Sequence, residues 1–340
     1  MKLCRIAVLG AGSFGTVVAD IAASNGHHVC LWMRSERQLQ ELEKTRVNSK
    51  YLPEYQLGDS LSFTDDLSVA LQSVDLVFFA VPSKAFSAVS AEVAQRLPAD
   101  QMPAIVSLTK GIEPEEFKLM SEILSANLPN CPVAVVGGPN LAKEIALGHP
   151  SATVVASKNK VLREQVQAIL SNQSFRAYTN PDLYGVELAG ALKNIYAIVS
   201  GLAQALGMGA NTKAMILTRS LAEMSRFAVR LGADPLTFLG LAGVGDLVVT
   251  CTSPLSRNFR IGYMIGEGYT LIQAVKSLGE VAEGVNTLRM VYHKALELDL
   301  DMPLVNALYG IIYQDKPIAH LTEQLMLGAH AQDVEFMTAR

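Results

Sequence analysis

The sequence predicts an α/β chain in which a doubly wound sheet fills the N-terminal half and an all-helical domain follows it. Three observations carry that expectation. Short, continuously apolar runs alternate with helix-like segments as far as about residue 180, the first of these runs ends in a cluster of glycines, and beyond Pro181 the texture is mostly helical. Runs apolar at every position suit strands covered on both faces, and strands alternating with helices imply parallel pairing.

The elements follow in chain order. Ile6 to Leu9 is the first strand, and after its glycines Thr16 to Ser24 continues with Ala-rich helical character. Val29 to Trp32 is the second strand, followed by a charged helix from Glu36 to Arg46. Asp75 to Val81, Ala104 to Leu108 and Val133 to Val136 repeat the apolar run, with helices expected between them over Ala85 to Arg96 and Glu115 to Leu128. Ala152 to Ala156 adds a strand and Phe175 to Thr179 a short one. Then come two long helices, Tyr184 to Leu206, rich in Ala, Leu, Ile and Val, and Thr212 to Leu231. The boundary this implies puts the sheet in residues 1–185 and the helices in residues 186–340.

With 340 residues, half of them hydrophobic, the chain is long enough for two cores. The 28 Lys and Arg against 32 Asp and Glu leave a net charge of −4, so nothing attracts nucleic acid or an anionic membrane globally and any phosphate site must be local. Cys4, Cys30, Cys131 and Cys251 are scattered, without a Cys-x-x-Cys pair or nearby His cluster. That argues against a zinc site or disulfide framework and fits a reducing cytoplasm. Gly10, Gly12 and Gly15 interrupt the apolar N-terminus well short of a spanning length, so neither a signal peptide nor a membrane helix is expected.

Gly10-Ala-Gly12-Ser-Phe-Gly15 is a G-x-G-x-x-G that directly follows a strand and opens a helix. The first glycine permits the tight turn, the second lets backbone approach a pyrophosphate, the third allows close helix–strand packing, and the helix N-terminus favours the anion. A glycine turn without a ligand is the plainer reading, but the strand-turn-helix setting favours dinucleotide binding. The N-terminal domain is therefore read as a Rossmann-type doubly wound sheet, with Ser13 and Phe14 lining the turn. The second strand ends Leu31-Trp32-Met33-Arg34, without the acid that commonly holds a ribose 2'-hydroxyl, although Glu36 keeps an acid nearby. Arg34 can meet a 2'-phosphate or stack on adenine, so both NADP and NAD are expected as cofactors, with some preference for NADPH.

Lys110, in Ser107-Leu-Thr-Lys-Gly111, lies just past the carboxyl end of a buried strand, where open α/β sheets bind ligands; by position alone it is equally an exposed loop lysine. Gly137-Gly138-Pro139-Asn140 occupies a similar place and either presents amides to a substrate or simply turns the chain. Lys193 is more informative, because its helix, Glu187-Leu-Ala-Gly-Ala-Leu-Lys193-Asn194-Ile-Tyr-Ala-Ile-Val, is apolar on most of its circumference. A charged amine there is costly unless paired or functional, and burial lowers a lysine pKa toward the range of a proton shuttle for alcohol oxidation. The plainer alternative is a lysine snorkelling outward. Asn194 beside it can hold a substrate oxygen or a nicotinamide amide. Asp246, the acid of a glycine-rich segment from Gly240 to Thr250, can orient Lys193, and Ser256-Arg257-Asn258 sets a hydroxyl, a guanidinium and an amide in succession, a set that suits a phosphoryl group.

Taken together, these stretches closely resemble bacterial glycerol-3-phosphate dehydrogenase, the soluble NAD(P)-dependent family that supplies the glycerol phosphate backbone of phospholipids. The matches are Gly10-Ala-Gly-Ser-Phe-Gly-Thr16, Val81-Pro-Ser83, Thr109-Lys-Gly111, Gly138-Pro139, Gly190-Ala-Leu-Lys-Asn194, Gly243-Val-Gly-Asp-Leu247, Ser256-Arg-Asn258 and Val281-Ala-Glu283-Gly284, which run in one order over essentially the whole chain. The resemblance implies that Lys193 is the general acid/base, that Lys110 touches cofactor and substrate, and that Gly138 and Asn140 line the substrate site with Asp246 in support. Ser256, Arg257 and Asn258 would hold the phosphate, with substrate between the two domains. Beside Gly10, Gly12 and Gly15 of the glycine motif, it places cofactor contacts at Ser13, Phe14, Arg34, Lys110, Ala142, Arg257, Val281 and Glu283. One departure is Asn140-Leu141, where the family usually has a small hydroxyl residue and then Phe. The partner implied is a small phosphorylated substrate, not nucleic acid or membrane, and a homodimer is left open. A dehydrogenase of another small acid, of the 3-hydroxyacid type, is the nearest alternative, and the Ser256-Arg-Asn258 segment argues against it; a dinucleotide-binding regulator without turnover would leave Lys193 without a purpose.

Overall fold

The computed structural model describes residues 3–98, 101–113, 116–278 and 283–327. The chain divides into two compact units, Met1–Glu113 with Lys118–Leu183, and Pro114–Phe117 with Tyr184–Arg340.

The first unit opens with β1 (Arg5–Leu9), α1 (Ser13–Ser24), β2 (His28–Trp32) and α2 (Glu36–Thr45). A small antiparallel hairpin, β3 (Val47–Asn48) and β4 (Leu52–Gln56), precedes β5 (Leu61–Thr64) and α3 (Leu67–Ala70). There follow β6 (Leu76–Phe79), α4 (Ser83–Arg96), β7 (Ala104–Ser107), α5 (Met120–Asn127), β8 (Val133–Gly137), α6 (Ala142–Ala146), β9 (Ser151–Ala156), α7 (Lys160–Leu170) and β10 (Phe175–Asn180). Eight of these strands form one sheet in the order β10-β9-β8-β7-β6-β1-β2-β5. Alternate side chains go to opposite faces: Ile6, Val8, Leu31, Phe78 and Val106 enter one apolar cluster, while Ala7, Leu9, Trp32, Val77, Phe79 and Ile105 enter another. Burial on both faces is why these runs lack polar alternation.

From β1 the chain builds outward through β2 to β5, then returns to lay β6 against the other side of β1. The reversal opens a crevice beyond the carboxyl ends of β1 and β6, the usual ligand position in such sheets.

The sheet departs from wholly parallel pairing at β8 and β9, which run antiparallel, so β9 and its parallel neighbour β10 oppose the rest. An apolar run carries no mark of its direction, and here the connection 138–150, which contains α6, turns β9 back beside β8. Glu115, where a helix is expected to begin, lies outside the described residues, and α5 begins only at Met120. Ile112 pairs with Leu119, the Glu113 amide donates to the Lys118 carbonyl at 2.8 Å, and Phe117 has φ 53°, a left-handed conformation that no α-helix accepts.

The second unit is helical: α8 (Leu183–Ala205), α9 (Ala210–Arg230), a 3₁₀ turn at Pro235–Leu239, a π-helical turn at Leu241–Gly245 that runs into α10 (Asp246–Thr252), α11 (Arg257–Gly266), α12 (Leu271–Leu278), α13 (Glu283–Glu297), α14 (Pro303–Tyr313) and α15 (Ala319–Leu327). By length and composition α8 could cross a membrane, but 94% of its most apolar window is buried inside the protein, as suits the core helix of a helical domain. Glycines let α11 approach it closely. A Cβ on Gly201 would lie 2.0 Å from the Phe259 carbonyl oxygen, and one on Gly262 would lie 1.9 Å from that of Ile198.

Candidate active site

In the first unit, the turn after β1 is shaped by its three glycines in different ways. Gly10 has φ 116°, and a Cβ there would meet the Ala80 carbonyl at the end of β6 at 2.6 Å. Gly15 packs on the Gly10 carbonyl, where a Cβ would sit at 2.1 Å. Among the described residues nothing stands within 4 Å of where a Cβ on Gly12 would lie, and no side chain caps α1. The backbone is thus pulled tight on the sheet side and left open on the other. Ser13 and Phe14 form the first turn of α1, and the Phe14 ring packs against the core. Arg34 is exposed in the loop between β2 and α2, next to Ser35, whose hydroxyl caps α2.

Further along the same carboxyl edge, Lys110 follows β7 and donates from Nζ to the Gly138 carbonyl at 2.9 Å, so the loops after β7 and β8 are joined. Thr109 Oγ1 donates to the Val81 carbonyl at 2.7 Å, which joins the loop after β6 to them. Asn140 is turned back onto the sheet: its Nδ2 donates to the Gly137 carbonyl at 3.3 Å and to Thr153 Oγ1 at 3.0 Å. Its Oδ1 is buried with no hydrogen-bond partner among the described residues. Ala142 begins α6 and packs against the core.

In the second unit, Lys193 is buried within α8 at 6% exposure, and its ammonium makes an ion pair with Asp246, itself 1% exposed. The ammonium also donates to Thr250 Oγ1 at 2.8 Å, while the Thr250 hydroxyl donates to the Asp246 carbonyl one helical turn earlier at 2.6 Å. A buried charge is tolerable when paired and hydrogen-bonded, and this one has both an opposite charge and a neutral acceptor. The π-helical turn before Asp246 sets the register in which α10 presents Asp246 and Thr250 on one face. Burial pushes the nearby Cys251 thiol up to about 12, leaving it protonated and inert.

A second polar chain runs beside the first. Asn258 Nδ2 donates to Asn194 Oδ1 at 2.9 Å, and the Gly284 amide donates to Asn258 Oδ1 at 3.1 Å. A side chain at Gly284 would stand 2.6 Å from the Asn194 carbonyl oxygen, so only glycine brings α13 in this close. Ser256 caps α11, its hydroxyl accepting from the Phe259 amide at 3.3 Å, and Arg257 is exposed in the first turn. Glu283 is the first residue of α13, and Val281 lies outside the described residues.

Family models match both units: residues 5–163 match the N-terminus, and residues 182–323 the C-terminus, of NAD-dependent glycerol-3-phosphate dehydrogenase. The chain belongs to this family. Curated glycerol-3-phosphate dehydrogenases (NAD(P)+) of Acinetobacter baylyi and Alcanivorax borkumensis are each 50% identical to it, over 98% and 97% of the chain and 92% and 96% of their own lengths. The crystal structure of glycerol-3-phosphate dehydrogenase from Coxiella burnetii matches with a TM-score of 0.90 at 36% identity, covering 95% of this chain and 99% of that one.

The nicotinamide nucleotide that the family name implies is compatible with the glycine turn, because the open side at Gly12 and the uncapped amides of α1 match what a pyrophosphate requires. Sequence reading assigned no part to Thr250. A hydroxyl four residues after Asp246 on the same helix is the signal that could have found it.

Proposed function

We propose that this chain interconverts sn-glycerol 3-phosphate and dihydroxyacetone phosphate, with NADP or NAD as the hydride carrier. The observation that carries the reading is the buried Lys193–Asp246 pair with Thr250, a cation held in place in a family whose curated members bear this enzyme's name. When bound, a nicotinamide nucleotide would supply the hydride chemistry at the substrate's C2 carbon. Lys193 Nζ is the general acid/base: it gives a proton to the C2 oxygen in reduction and takes it back in oxidation. Asp246 compensates the ammonium charge, and two fixed acceptors aim the amine, so little reorganisation is needed as the oxygen becomes charged.

Ser256, Arg257 and Asn258 are assigned to the phosphate: α11 offers the positive end of its dipole, and Arg257 adds a charge. Asn258 is already fixed by Asn194 and Gly284, which sets its amide before substrate arrives. Lys110, Gly138 and Asn140 are assigned to the substrate side of the sheet edge. Gly10, Gly12, Ser13, Phe14, Gly15, Arg34, Lys110, Ala142, Arg257 and Glu283 are assigned to the nucleotide. Its four cysteines, none of them in a disulfide, suit a cytoplasmic enzyme.

The direct test is spectrophotometric. Dihydroxyacetone phosphate added to the protein with NADPH or NADH should deplete the reduced nucleotide. If neither is consumed while both bind, the dehydrogenase reading fails.

A further inference from the structure

The β3–β4 hairpin has no part in the main sheet, yet it carries a buried side chain hydrogen-bonded at both its amide oxygen and its amide nitrogen. Asn48 is 1% exposed. Its Nδ2 donates to the Ala11 carbonyl at 3.0 Å and to Thr16 Oγ1 at 2.8 Å. Its Oδ1 accepts from Gln38 Nε2 at 3.2 Å, and the same Gln38 nitrogen donates to the Ala11 carbonyl at 2.9 Å. The carbonyl between Gly10 and Gly12 therefore accepts from two side chains, which saturates its lone pairs. The hairpin is in turn tied to α1 by Asp20, buried on that helix, which accepts from the Tyr55 hydroxyl and from the Gly58 amide at 2.9 Å.

We propose that Asn48, with Gln38, is a positioning pair for dinucleotide binding: by holding the Ala11 carbonyl it aims the Gly12 amide at the cofactor pyrophosphate. A peptide unit is planar and trans, so its C=O and N–H point to opposite sides. With the Ala11 oxygen pinned beneath the turn, the Gly12 N–H must face away from the hairpin. The glycine turn needs such a brace because glycine, having no Cβ, is free to rotate, and among the described residues nothing stands within 4 Å of where a Cβ on Gly12 would lie. The brace comes from residues 27 and 37 positions further along the chain, so no local motif contains it. Thr16, which takes the other Asn48 hydrogen, is buried in α1, so one amide registers both the turn and its helix.

This inference rests on the turn being a dinucleotide site, and the test separates the two. The wild-type protein is titrated with NADPH and NADH by fluorescence; failure to bind either would overturn the site reading itself. Given binding, Asn48→Ala is expected to raise the Kd for both nucleotides about tenfold, and Gln38→Ala about two- to threefold because the Ala11 carbonyl keeps its Asn48 donor. At saturating NADPH, kcat and the dihydroxyacetone phosphate KM should stay within about twofold of wild type, a split that general loss of folded protein would not produce. If Asn48→Ala does not fold, Gln38→Ala, which is only half-buried, carries the test. Unchanged nucleotide affinity in the folded variants, or loss of kcat with affinity kept, would overturn the proposal.

Discussion

Gly262→Ala tests whether the contact between α8 and α11 sets the geometry of the polar chain next to Lys193. The new Cβ would be 1.9 Å from the Ile198 carbonyl oxygen, 2.7 Å from its carbon and 2.9 Å from the Ile198 Cα, all of them backbone, where ordinary contact begins at 3.4 Å. No rotamer change relieves a clash with a helix backbone, so α11 must retreat by about 1.5 Å, the gap between those distances. Asn258 lies one helical turn before Gly262 on the same face, and its 2.9 Å bond to Asn194 cannot survive such a shift. Overpacking of this kind costs about 1–3 kcal/mol, and the better helix propensity of alanine offsets up to about 1 kcal/mol. A net loss of about 1–2 kcal/mol is expected from urea unfolding, which leaves the variant folded and measurable. Displacement of the residues assigned to the phosphate by more than 1 Å should lower kcat/KM for dihydroxyacetone phosphate by about a hundredfold, with nucleotide affinity retained. A variant with wild-type stability and wild-type kcat/KM would refute the argument, since α11 would then yield without consequence.

Lys193→Met should reduce kcat by more than about a hundredfold while nucleotide still binds; near-normal turnover in the folded variant would remove Lys193 from the chemistry. Arg257→Ala should raise the dihydroxyacetone phosphate KM strongly, and an unchanged KM with both cofactors would mean that phosphate is held elsewhere. Arg34→Asp, made in an exposed loop, should lower kcat/KM with NADPH and spare NADH; equal losses would show that Arg34 does not select the cofactor. Glu223 predicts a pH effect on stability. Burial pushes its carboxyl up to about 7 from 4.5, against the opposing pull of the Leu304 and Val305 amides, Arg226 and Tyr196. The native state therefore keeps a proton that the unfolded chain has released, so stability falls as pH rises from about 4.5 to about 7, by on the order of 3 kcal/mol. Glu223→Gln should flatten that slope in urea midpoints measured near about pH 5 and about pH 8, and a parallel pH profile would show that the slope comes from other groups.

The sequence by itself determined what local chemistry can encode. The glycine turn was legible because Gly10 must take a positive φ and Gly15 must lie flat on the Gly10 carbonyl, demands that glycine meets beside an apolar strand. Lys193 stood out because a single cation in a mostly apolar helix is costly, and α8 at Leu183–Ala205 lies within a residue of the predicted span at each end. The Ser256-Arg-Asn258 segment was visible as a set, but not the use of the Ser256 hydroxyl as a cap for α11. Tertiary structure alone decided the rest. The reversal of β9 and β10 was hidden because a doubly buried strand looks the same in either direction. The delayed start of α5 followed from a pairing between Ile112 and Leu119 that competes with helix formation. The short β3–β4 hairpin passed unread, and with it Asn48, whose partners Ala11 and Thr16 are remote in sequence. Propensity, periodicity and the cost of burying charge act within one element and leave a pattern in the residues. Strand direction, hydrogen bonds between distant elements and the approach of two helices at Gly201 and Gly262 depend on which surfaces meet, and that is settled only when the whole chain packs.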